Sequence, residues 1–230
     1  MEPSVKSHSH RYDILGLRAY CLNTASDAGL TNNLYFARNI VKRYFVLRNL
    51  YSVLVGCNIG DPKGHILDFG PGFGILLPAL SRMYEKVTAL DIDPSQLYAS
   101  QKILDSARIS NVSLILGRLQ DEFEAFEDHC FNAIVADNVL EHIARPQFLI
   151  PHFIRLLKNN GILIVSLPSQ RHIYRFFESA TDGHLLRTRQ AVSNLLSSIE
   201  SKMKEVAILD SYPFFITRVY MITGRENDSN

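Results

Sequence analysis

Hydrophobic and polar positions follow two different periods from residue 65 onward. Short apolar runs rich in β-branched residues predict five strands, at residues 65–69, 86–91, 112–117, 131–137 and 161–167. The segments between them carry apolar residues at spacings of three and four, which predicts helices over residues 76–84, 94–108 and 145–158. Strands that are buried on both faces and joined by crossover helices form a parallel sheet with helices on each side. The pattern therefore predicts a doubly wound α/β core.

The pattern differs on both sides of this core. After the fifth strand it predicts a long loop and then a helix near residues 185–202. The apolar runs at residues 204–210 and 216–224 lie close enough in sequence to pair as an antiparallel C-terminal edge of a mostly parallel sheet. Before residue 65 there is no clear strand, and residues 33–54 have the pattern of one amphipathic helix.

These patterns divide the chain into three parts. Residues 1–64 are predicted to form an N-terminal helical cap or lid, and residues 65–223 the α/β domain. Residues 224–230 are small and polar and are expected to form a flexible tail. With 230 residues, 47% of them hydrophobic and 20% charged, the chain has the composition of a globular protein with one main core.

Charge and cysteine content argue against several classes of protein. The formal net charge of +1 gives no reason to expect DNA as a partner. The cysteines, Cys21, Cys57 and Cys130, form no CxxC pair, so neither a disulfide framework nor a zinc ribbon is indicated. The sequence shows no signal-peptide layout and no apolar run of bilayer-spanning length. We therefore expect a soluble protein of the cytoplasm.

A glycine-rich loop follows the first predicted strand. In DFGPGFG, residues 68–74, glycine occupies positions 70, 72 and 74. Ligands of open α/β sheets bind beyond the carboxyl ends of the strands, at turns of this kind. Glycine there lets the backbone come close to a ligand, and the amides of the following helix carry partial positive charge. The loop is therefore predicted to contact a ligand.

The spacing of the loop argues against two common phosphate-binding motifs. A GxGxxG dinucleotide fingerprint would need glycine at position 75 or 77, where the sequence has Ile75 and Leu77. A P-loop would need Gly-Lys followed by Ser or Thr, and that sequence does not follow. The ligand predicted for this loop is therefore neither a nicotinamide dinucleotide nor a nucleoside triphosphate.

Asp91 is the candidate ribose ligand. It ends the second predicted strand, 21 residues after Gly70, where a carboxylate can accept hydrogen bonds from both hydroxyls of a ribose. The alternative is that Asp91 caps the next helix. However, Asp93 and Pro94 already supply the cap and the first residue of that helix, which leaves Asp91 for a ligand.

The loop residues Asp68, Gly70, Gly72 and Gly74 resemble the first motif of the class I S-adenosylmethionine-dependent methyltransferases, acid-x-Gly-x-Gly-x-Gly. FNAIVADNVLEHI resembles the fourth-strand motif of this family and LLKNNGILIVSLP its fifth strand, so that the resemblance covers about residues 65–168. It implies a Rossmann-like sheet and S-adenosyl-L-methionine as the cofactor. It also implies that Asp137, at the end of the fourth strand, lies beside the methionine part of the cofactor.

The sequence departs from the family where adenine is bound. After the third strand the family commonly has an Asp that accepts from the adenine amino group, and this chain has Arg118, which has only donors. Adenine recognition is therefore expected to fall to Gln120, Asp121 or a backbone carbonyl, with Ile92 and Leu119 packing on the ring faces.

Three histidines are candidates for a catalytic role: His142 after the fourth strand, and His172 and His184 in the long loop. Methyl transfer to a hydroxyl benefits from a general base within hydrogen-bond reach. The alternative for each is a structural or surface histidine. Asp137 and Glu141 could be mistaken for a pair of metal ligands, but no convincing further ligands accompany them, and no metal is expected.

The combined interpretation is a methyltransferase that acts by direct displacement on a small-molecule, lipid-precursor or glycan-linked acceptor. RNA or protein methylation is an alternative, disfavoured by the near-neutral charge and the lack of an appended binding domain. A catalytically silent S-adenosylmethionine-binding scaffold is a second alternative, because Arg118 departs from the family and no strong base is evident. Acceptor atom and oligomeric state stay open.

The N-terminal cap has an uneven charge distribution. No acidic residue lies between Asp27 and Asp61, whereas the helix predicted there carries four basic residues together with tyrosine and aliphatic side chains. One interpretation is a plain lid whose basic residues are solvated. The other is that residues 35–54 make a peripheral contact with a membrane surface or receive an anionic, lipid-like acceptor.

Overall fold

The computed structural model describes residues 12–59, 62–117, 124–168, 189–211 and 215–222. The helices are α1 (Ile14–Asp27), α2 (Ile40–Cys57), α3 (Leu77–Met83), α4 (Pro94–Ala107), α5 (Ile150–Leu156) and α6 (Arg189–Glu200). The strands are β1 (His65–Phe69), β2 (Lys86–Asp91), β3 (Val112–Leu116), β4 (Phe131–Asp137), β5 (Leu157–Pro168), β6 (Lys204–Ser211) and β7 (Phe215–Met221). Short 3₁₀ turns cover Leu34–Phe36, Leu140–His142 and Pro146–Leu149.

The strands form one sheet in the order β3-β2-β1-β4-β5-β7-β6. Pairing is parallel from β3 through β5, whereas β7 runs antiparallel to both β5 and β6. The predicted doubly wound, mostly parallel α/β sheet with an antiparallel C-terminal edge is thereby confirmed. The order reverses between β1 and β4, and this is the position at which open α/β sheets bind their ligands.

Apolar side chains fill a layer on each face of the sheet. Successive residues of β4, Ile134 and Val135, are both fully buried but belong to opposite layers. Helices α1 to α4 cover one face, and α5 and α6 cover the other. Burial on both faces explains why these strands have continuous apolar runs in the sequence rather than alternation.

The prediction of one helix over residues 33–54 is wrong. The region contains a 3₁₀ turn at Leu34–Phe36, and α2 begins only at Ile40. Asn39 stops the helix from extending further back, because its side chain accepts a hydrogen bond from the Lys42 amide at 3.1 Å and so acts as an N-cap. Helix α1, which the sequence pattern did not predict, begins in the same way after Asp13.

Two further elements differ from the prediction in their bounds. The helix expected over residues 145–158 is divided into a 3₁₀ turn and α5, with Pro151 in the first turn of the helix, a position that tolerates proline. Strand β5 begins at Leu157 rather than at residue 161, with a register shift in its pairing to β4. Asn160 has a φ of +60° there, a conformation that asparagine tolerates.

The N-terminal helices contribute to the core of the sheet. Cys21 and Ala25 of α1 and Leu50 and Val53 of α2 are fully buried in the same layer as Ile66 of β1. The division into a cap of residues 1–64, a domain of residues 65–223 and a tail stays a prediction. Among the described residues, no helix combines the length and the apolar character needed to cross a bilayer.

Candidate active site

A cavity of about 180 Å³ lies at the carboxyl ends of β1 and β4, where the strand order reverses. Its walls come from the glycine loop after β1, from the ends of the two strands and from the 3₁₀ turn before α2. The side chains that carry polar groups into it are those of Tyr35, Asp68, Asp137 and Asn138. Three sequence elements that are far apart in the chain therefore meet at one site.

The glycine loop is held in place by hydrogen bonds to neighbouring elements. The Gly70 amide donates to the Leu90 carbonyl at 2.9 Å, which continues the pairing of β1 with β2. The Gly72 amide donates to Asp91 Oδ2 at 3.1 Å, and the Ser100 hydroxyl donates to the Gly72 carbonyl at 3.0 Å. The loop is thus positioned by β2 and α4 before any ligand binds.

The three glycines of the loop differ in what a Cβ would contact at each position. All have positive φ, but a Cβ at Gly70 would lie 2.4 Å from Val139 Cγ2, and one at Gly74 would lie 2.7 Å from Ser100 Oγ. A Cβ at Gly72 would meet only Gln96 Oε1, at 3.9 Å. Packing within the protein therefore requires glycine at 70 and 74, whereas the space beside Gly72 is open to the cavity.

Asp68 is a buried carboxyl group, and neither of its oxygens has a hydrogen-bond partner among the described residues. Burial raises its pKa well above the usual value, and the charges of Asp137 and Asp91 raise this pKa further. Buried polar groups in proteins are almost always hydrogen-bonded, and an unpaired one is costly. An unpaired carboxyl that lines a cavity therefore indicates a ligand with hydrogen-bond donors or positive charge.

Asp137 has partners, and one of them comes from the N-terminal segment. Its Oδ1 accepts from Asn49 Nδ2 of α2 at 3.1 Å and from Asn138 Nδ2 at 2.8 Å. The Ser166 hydroxyl of β5 donates to Asn49 Oδ1 at 2.9 Å and so fixes the orientation of the amide. Burial raises the pKa of Asp137, and the hydrogen bond from Asn49 opposes that rise. Helix α2 therefore influences the protonation of Asp137 through the amide of Asn49.

Tyr35 closes the cavity from the N-terminal side. Its ring packs edge-on against Phe73 of the glycine loop, with centroids 5.8 Å apart. Burial, together with the nearby carboxylates of Asp137 and Asp68, raises the pKa of its hydroxyl well above the usual value. The side chain therefore stays neutral and contributes an aromatic wall. The sequence analysis did not identify Tyr35 or Asn49 as site residues.

Asp91 lies at the end of β2 beside this cavity and accepts two backbone hydrogen bonds, from the Gly72 amide and, at 2.9 Å, from the Asp93 amide. The role of Asp91 as the ribose ligand stays a prediction. Asp93 does cap α4, since it accepts from the Ser95 amide at 2.8 Å. Each Asp91 oxygen accepts one of these bonds, and a carboxylate oxygen has two lone pairs.

Two apolar side chains are exposed next to Asp91. Ile92 is 66% exposed, and Leu116, which pairs with Asp91 in the parallel register of β2 and β3, is 56% exposed. Large apolar side chains at the end of a buried sheet provide a surface on which a flat apolar group can pack. Sequence reasoning identified Ile92 and missed Leu116, whose signal was its position opposite Asp91.

Glu141 is, within the part of the chain that the structure describes, another buried carboxyl without a hydrogen-bond partner on either oxygen. It lies in the 3₁₀ turn after β4 and is 2% exposed. Burial is the main cause that raises its pKa from 4.5 to about 8, and the charge of Asp137 adds to the rise. The carboxyl is therefore largely protonated at neutral pH.

The remaining predicted site residues do not line the described cavity or are not described. His142 is exposed and follows Glu141 in the 3₁₀ turn, outside the lining of the cavity. His172, His184, Leu119, Gln120 and Arg118 lie outside the described residues, so the candidate bases in the long loop and the adenine contacts stay predictions. Within the described part of the chain, no group of three or more His, Cys, Asp or Glu side chains is arranged to hold a metal ion.

Comparison with known proteins supports the predicted resemblance in sequence and in fold. Residues 67–165, less than half of this chain, match a family whose description is "Methyltransferase domain". The fold matches the crystal structure of the N-methyltransferase NodS from Bradyrhizobium japonicum WM9 in complex with S-adenosyl-L-homocysteine, with a TM-score of 0.62 and 12% identity over 90% of this chain and all of that one. The predicted resemblance to the S-adenosylmethionine-dependent methyltransferases is thereby confirmed.

Two curated relatives are similar to this chain over part of their length. The mitochondrial ubiquinone biosynthesis O-methyltransferase of Schizosaccharomyces pombe is 29% identical over 126 residues, which is 53% of this chain and 44% of the relative. The ubiquinone/menaquinone biosynthesis C-methyltransferase UbiE of Wigglesworthia glossinidia brevipalpis is 23% identical over 167 residues, 71% of this chain and 66% of the relative. This chain thus matches less than half of the first relative and about two thirds of the second.

The first prediction separates the glycines of the loop by their function. Positive φ costs a non-glycine residue roughly 1–2 kcal/mol, so both Gly72→Ala and Gly74→Ala will lower the free energy of unfolding of the methyltransferase. Gly74→Ala will lower it more, because its Cβ also meets Ser100 and Leu77. Gly72→Ala will instead weaken cofactor binding by about tenfold or more, or roughly 1.4 kcal/mol. Urea unfolding and calorimetry measure the two effects, and unchanged cofactor affinity in Gly72→Ala would contradict the prediction.

The second prediction follows from the raised pKa of Glu141. Because the folded protein keeps this proton to about pH 8 and the unfolded chain loses it near 4.5, stability falls as pH rises between those values. Glu141→Gln should therefore be more stable than the wild type at about pH 8, by at least about 1.4 kcal/mol, the free energy of one pKa unit. This difference in stability should narrow toward about pH 4.5, where the Glu141 carboxyl of the unfolded chain is half-protonated.

Urea unfolding followed by circular dichroism at both pH values measures this difference. Glu85→Gln, which changes an exposed carboxylate, is the control and should leave the pH dependence as in the wild type. Asp68 is present in both proteins and is not coupled to Glu141, so its raised pKa cancels in the comparison. A gap between Glu141→Gln and wild type that is the same at both pH values would contradict the assignment.

Proposed function

We propose that the protein transfers a methyl group from S-adenosyl-L-methionine to a small-molecule acceptor. The observation that carries this proposal is the unpartnered buried carboxyl of Asp68 in a cavity that also contains Asp137. The methionine part of the cofactor carries a protonated amine and a positively charged sulfur, which suit two buried carboxyl groups. The cavity, its two carboxyl groups and the match to a methyltransferase domain therefore all support S-adenosyl-L-methionine as the ligand.

The residues of the site would share the binding of the cofactor. Asp68 and Asp137 would hold the positively charged end, and the open space beside Gly72 would admit the ligand next to the backbone. Asp91 would accept hydrogen bonds from the ribose with its remaining lone pairs. Ile92 and Leu116 would pack on the adenine, together with Leu119 as the sequence predicts. Gln120, Asp121 or a backbone carbonyl would accept from the adenine amino group.

When bound, the cofactor supplies an electrophilic methyl group. The chain contributes position, because an acceptor atom must be held in line with that methyl at about 3 to 3.5 Å. Tyr35, Phe73 and the apolar residues of the loop would exclude water from the approach. A hydroxyl acceptor must also lose its proton, for which His142, His172 and His184 are the proposed bases.

The class of acceptor is inferred from the relatives. Their names assign one to O-methylation and the other to C-methylation in the biosynthesis of quinones. We therefore favour a small-molecule hydroxyl or activated carbon over RNA or protein, in agreement with the formal net charge of +1. The described cysteines Cys21, Cys57 and Cys130 are free thiols, which fits the reducing environment of a cytoplasmic enzyme.

Calorimetry with S-adenosyl-L-methionine, S-adenosyl-L-homocysteine and NAD tests the cofactor side. We expect the first two to bind and NAD not to bind. Asp91→Ala removes acceptors of charge-assisted hydrogen bonds, each worth about 1.5–3 kcal/mol, so affinity should fall at least tenfold. Asp93→Ala removes only the α4 cap and should lower stability by about 1 kcal/mol while affinity stays near wild type. Equal losses of affinity in the two variants would exclude Asp91 as the ribose ligand.

Release of S-adenosyl-L-homocysteine in the presence of phenolic and quinone-like acceptors tests the reaction. Methylated product from at least one such compound is expected. Tight cofactor binding without turnover across the panel would favour the alternative of a silent scaffold. Turnover only with RNA or a protein would exclude the small-molecule assignment. His184→Ala and His142→Ala should lower turnover with little change in cofactor affinity if either residue is the base.

The hydrogen bond from Asn49 to Asp137 provides a prediction for the N-terminal segment. Asn49→Leu keeps the branching and the number of side-chain heavy atoms but removes the amide donor, so the pKa of Asp137 will rise and cofactor binding will weaken about tenfold, with a greater loss as the pH falls. Thr24→Val is the control, because it removes a buried hydrogen bond within α1, 2.9 Å to the Tyr20 carbonyl, away from the site. A pH-independent loss, or an equal loss in Thr24→Val, would show that Asn49 only supports the fold.

A further inference from the structure

Helix α2 has apolar side chains on two opposite faces. Val46, Leu50 and Val53 point into the core and are buried. The opposite face, which we call the outer α2 face, carries exposed apolar side chains: Ile40 (82% exposed), Val41 (58%), Tyr44 (55%) and Tyr51 (36%). A surface helix of a globular protein normally has polar residues opposite its core-facing stripe. The outer α2 face therefore lacks the composition of a face that contacts only water.

The helical geometry brings these side chains together. With 3.6 residues per turn, Ile40, Tyr44 and Tyr51 project within an arc of about 40°. They extend along roughly 16 Å of the helix axis, since each residue adds 1.5 Å. A contiguous exposed apolar surface of this kind, unlike single exposed residues, indicates an interaction site.

The residues around the outer α2 face are basic. Arg38 precedes the helix, and Arg43 and Arg48 lie on it, all three with exposed side chains. Across the whole segment between Asp27 and Asp61 the sequence has no acidic residue. A face that combines apolar side chains with cations such as Arg38 and Arg43 is complementary to a surface with negative charge above an apolar interior.

We propose that the outer α2 face binds the surface of an anionic lipid bilayer. Ile40, Val41 and Tyr44 would enter the boundary between headgroups and acyl chains, while the arginines contact lipid phosphates. Tyrosine suits this position, because its ring is apolar and its hydroxyl reaches the polar layer. The contact is peripheral, and it does not depend on the methyl-transfer reaction, so the two proposals fail or succeed separately.

The same helix joins this surface to the site. Asn49, on the core side of α2, donates to Asp137 in the cavity. A bilayer bound to the outer face of α2 would therefore lie one helix diameter, about 10 Å, from this hydrogen bond. An acceptor that partitions into the membrane would be concentrated next to the enzyme.

Co-sedimentation of the full chain with vesicles tests the proposal. We expect pelleting with phosphatidylcholine vesicles that also contain phosphatidylglycerol, and little with phosphatidylcholine alone. The bound fraction should fall with added salt, because the screening length shortens from about 30 Å at 0.01 M to about 8 Å at 0.15 M. Arg38→Gln with Arg43→Gln should weaken binding about thirtyfold, and Ile40→Ser with Tyr44→Ser should weaken it at every salt concentration.

Tyr98→Ser is the matched control, since Tyr98 is an exposed aromatic residue of α4 outside the outer α2 face. Its binding should equal that of the wild type. No preference of the wild type for anionic vesicles at low salt would overturn the proposal, as would an equal loss in Tyr98→Ser. Binding to acidic polypeptides but to neither type of vesicle would also overturn it, in favour of a protein partner.

A spectroscopic variant provides an independent measurement. The chain contains no tryptophan, so Tyr44→Trp introduces a single fluorescent reporter at an exposed position. Its emission should shift to shorter wavelength on addition of anionic vesicles, because the indole moves from water into the interfacial layer. Tyr98→Trp should show no shift. Equal shifts at both positions, or no shift at Tyr44→Trp, would contradict insertion of the outer α2 face.

Discussion

The burial of carboxyl groups at the carboxyl ends of β1 and β4 is the constraint on which the site depends. A carboxylate in an apolar interior needs hydrogen bonds or a counter-charge, and otherwise it takes up a proton. Asp137 receives two amide donors, one of them from a helix 88 residues earlier in the chain. Asp68 receives none from the described residues, and its pKa is raised accordingly. Asp137 is thus satisfied within the protein, whereas Asp68 is left with hydrogen-bonding capacity that a ligand in the cavity can use.

The surrounding elements are arranged around these carboxyl groups. Asp91 accepts from the Gly72 amide and so holds the glycine loop next to the cavity. Gly70 lies so close to Val139 that a Cβ would overlap with that side chain, which keeps the loop against the turn that follows β4. Tyr35 and Phe73 add an aromatic wall. The cavity is therefore held in shape by contacts between the loop, β2 and the turn after β4.

The strands could be predicted from sequence because each is a short apolar run between signals for turns and helix caps, whereas their order in the sheet comes from the structure. Asp93 and Pro94 marked the start of α4, and Asp68, Asp91 and Asp137 follow from their positions at strand ends. The N-terminal segment was harder to interpret. Its apolar residues occur all around the helix, so periodicity alone could not locate the break at Asn39 or separate the buried face from the exposed one.

Tyr35 and Asn49 were missed for a related reason, since both act through contacts with residues distant in sequence. A signal for Asn49 was present: it is a polar residue among Val46, Leu50 and Val53 on the core-facing side of the helix, and a buried amide needs a partner. This pattern indicates that Asn49 has a hydrogen-bond partner, but it does not identify that partner. Only the three-dimensional structure shows that the partner is Asp137.

The hydrogen bond between Asn49 and Asp137 also affects how this chain can be divided or recombined. The segment that matches the methyltransferase family, residues 67–165, contains Asp137 and lacks Asn49. It also lacks Leu50 and Val53, which cover one face of its sheet. A chimaera that joined this segment to the N-terminal helices of a relative would change a group that is bonded to the site. The N-terminal helices and the matched segment therefore depend on each other, and an exchange of either part would need an amide donor at the position equivalent to Asn49.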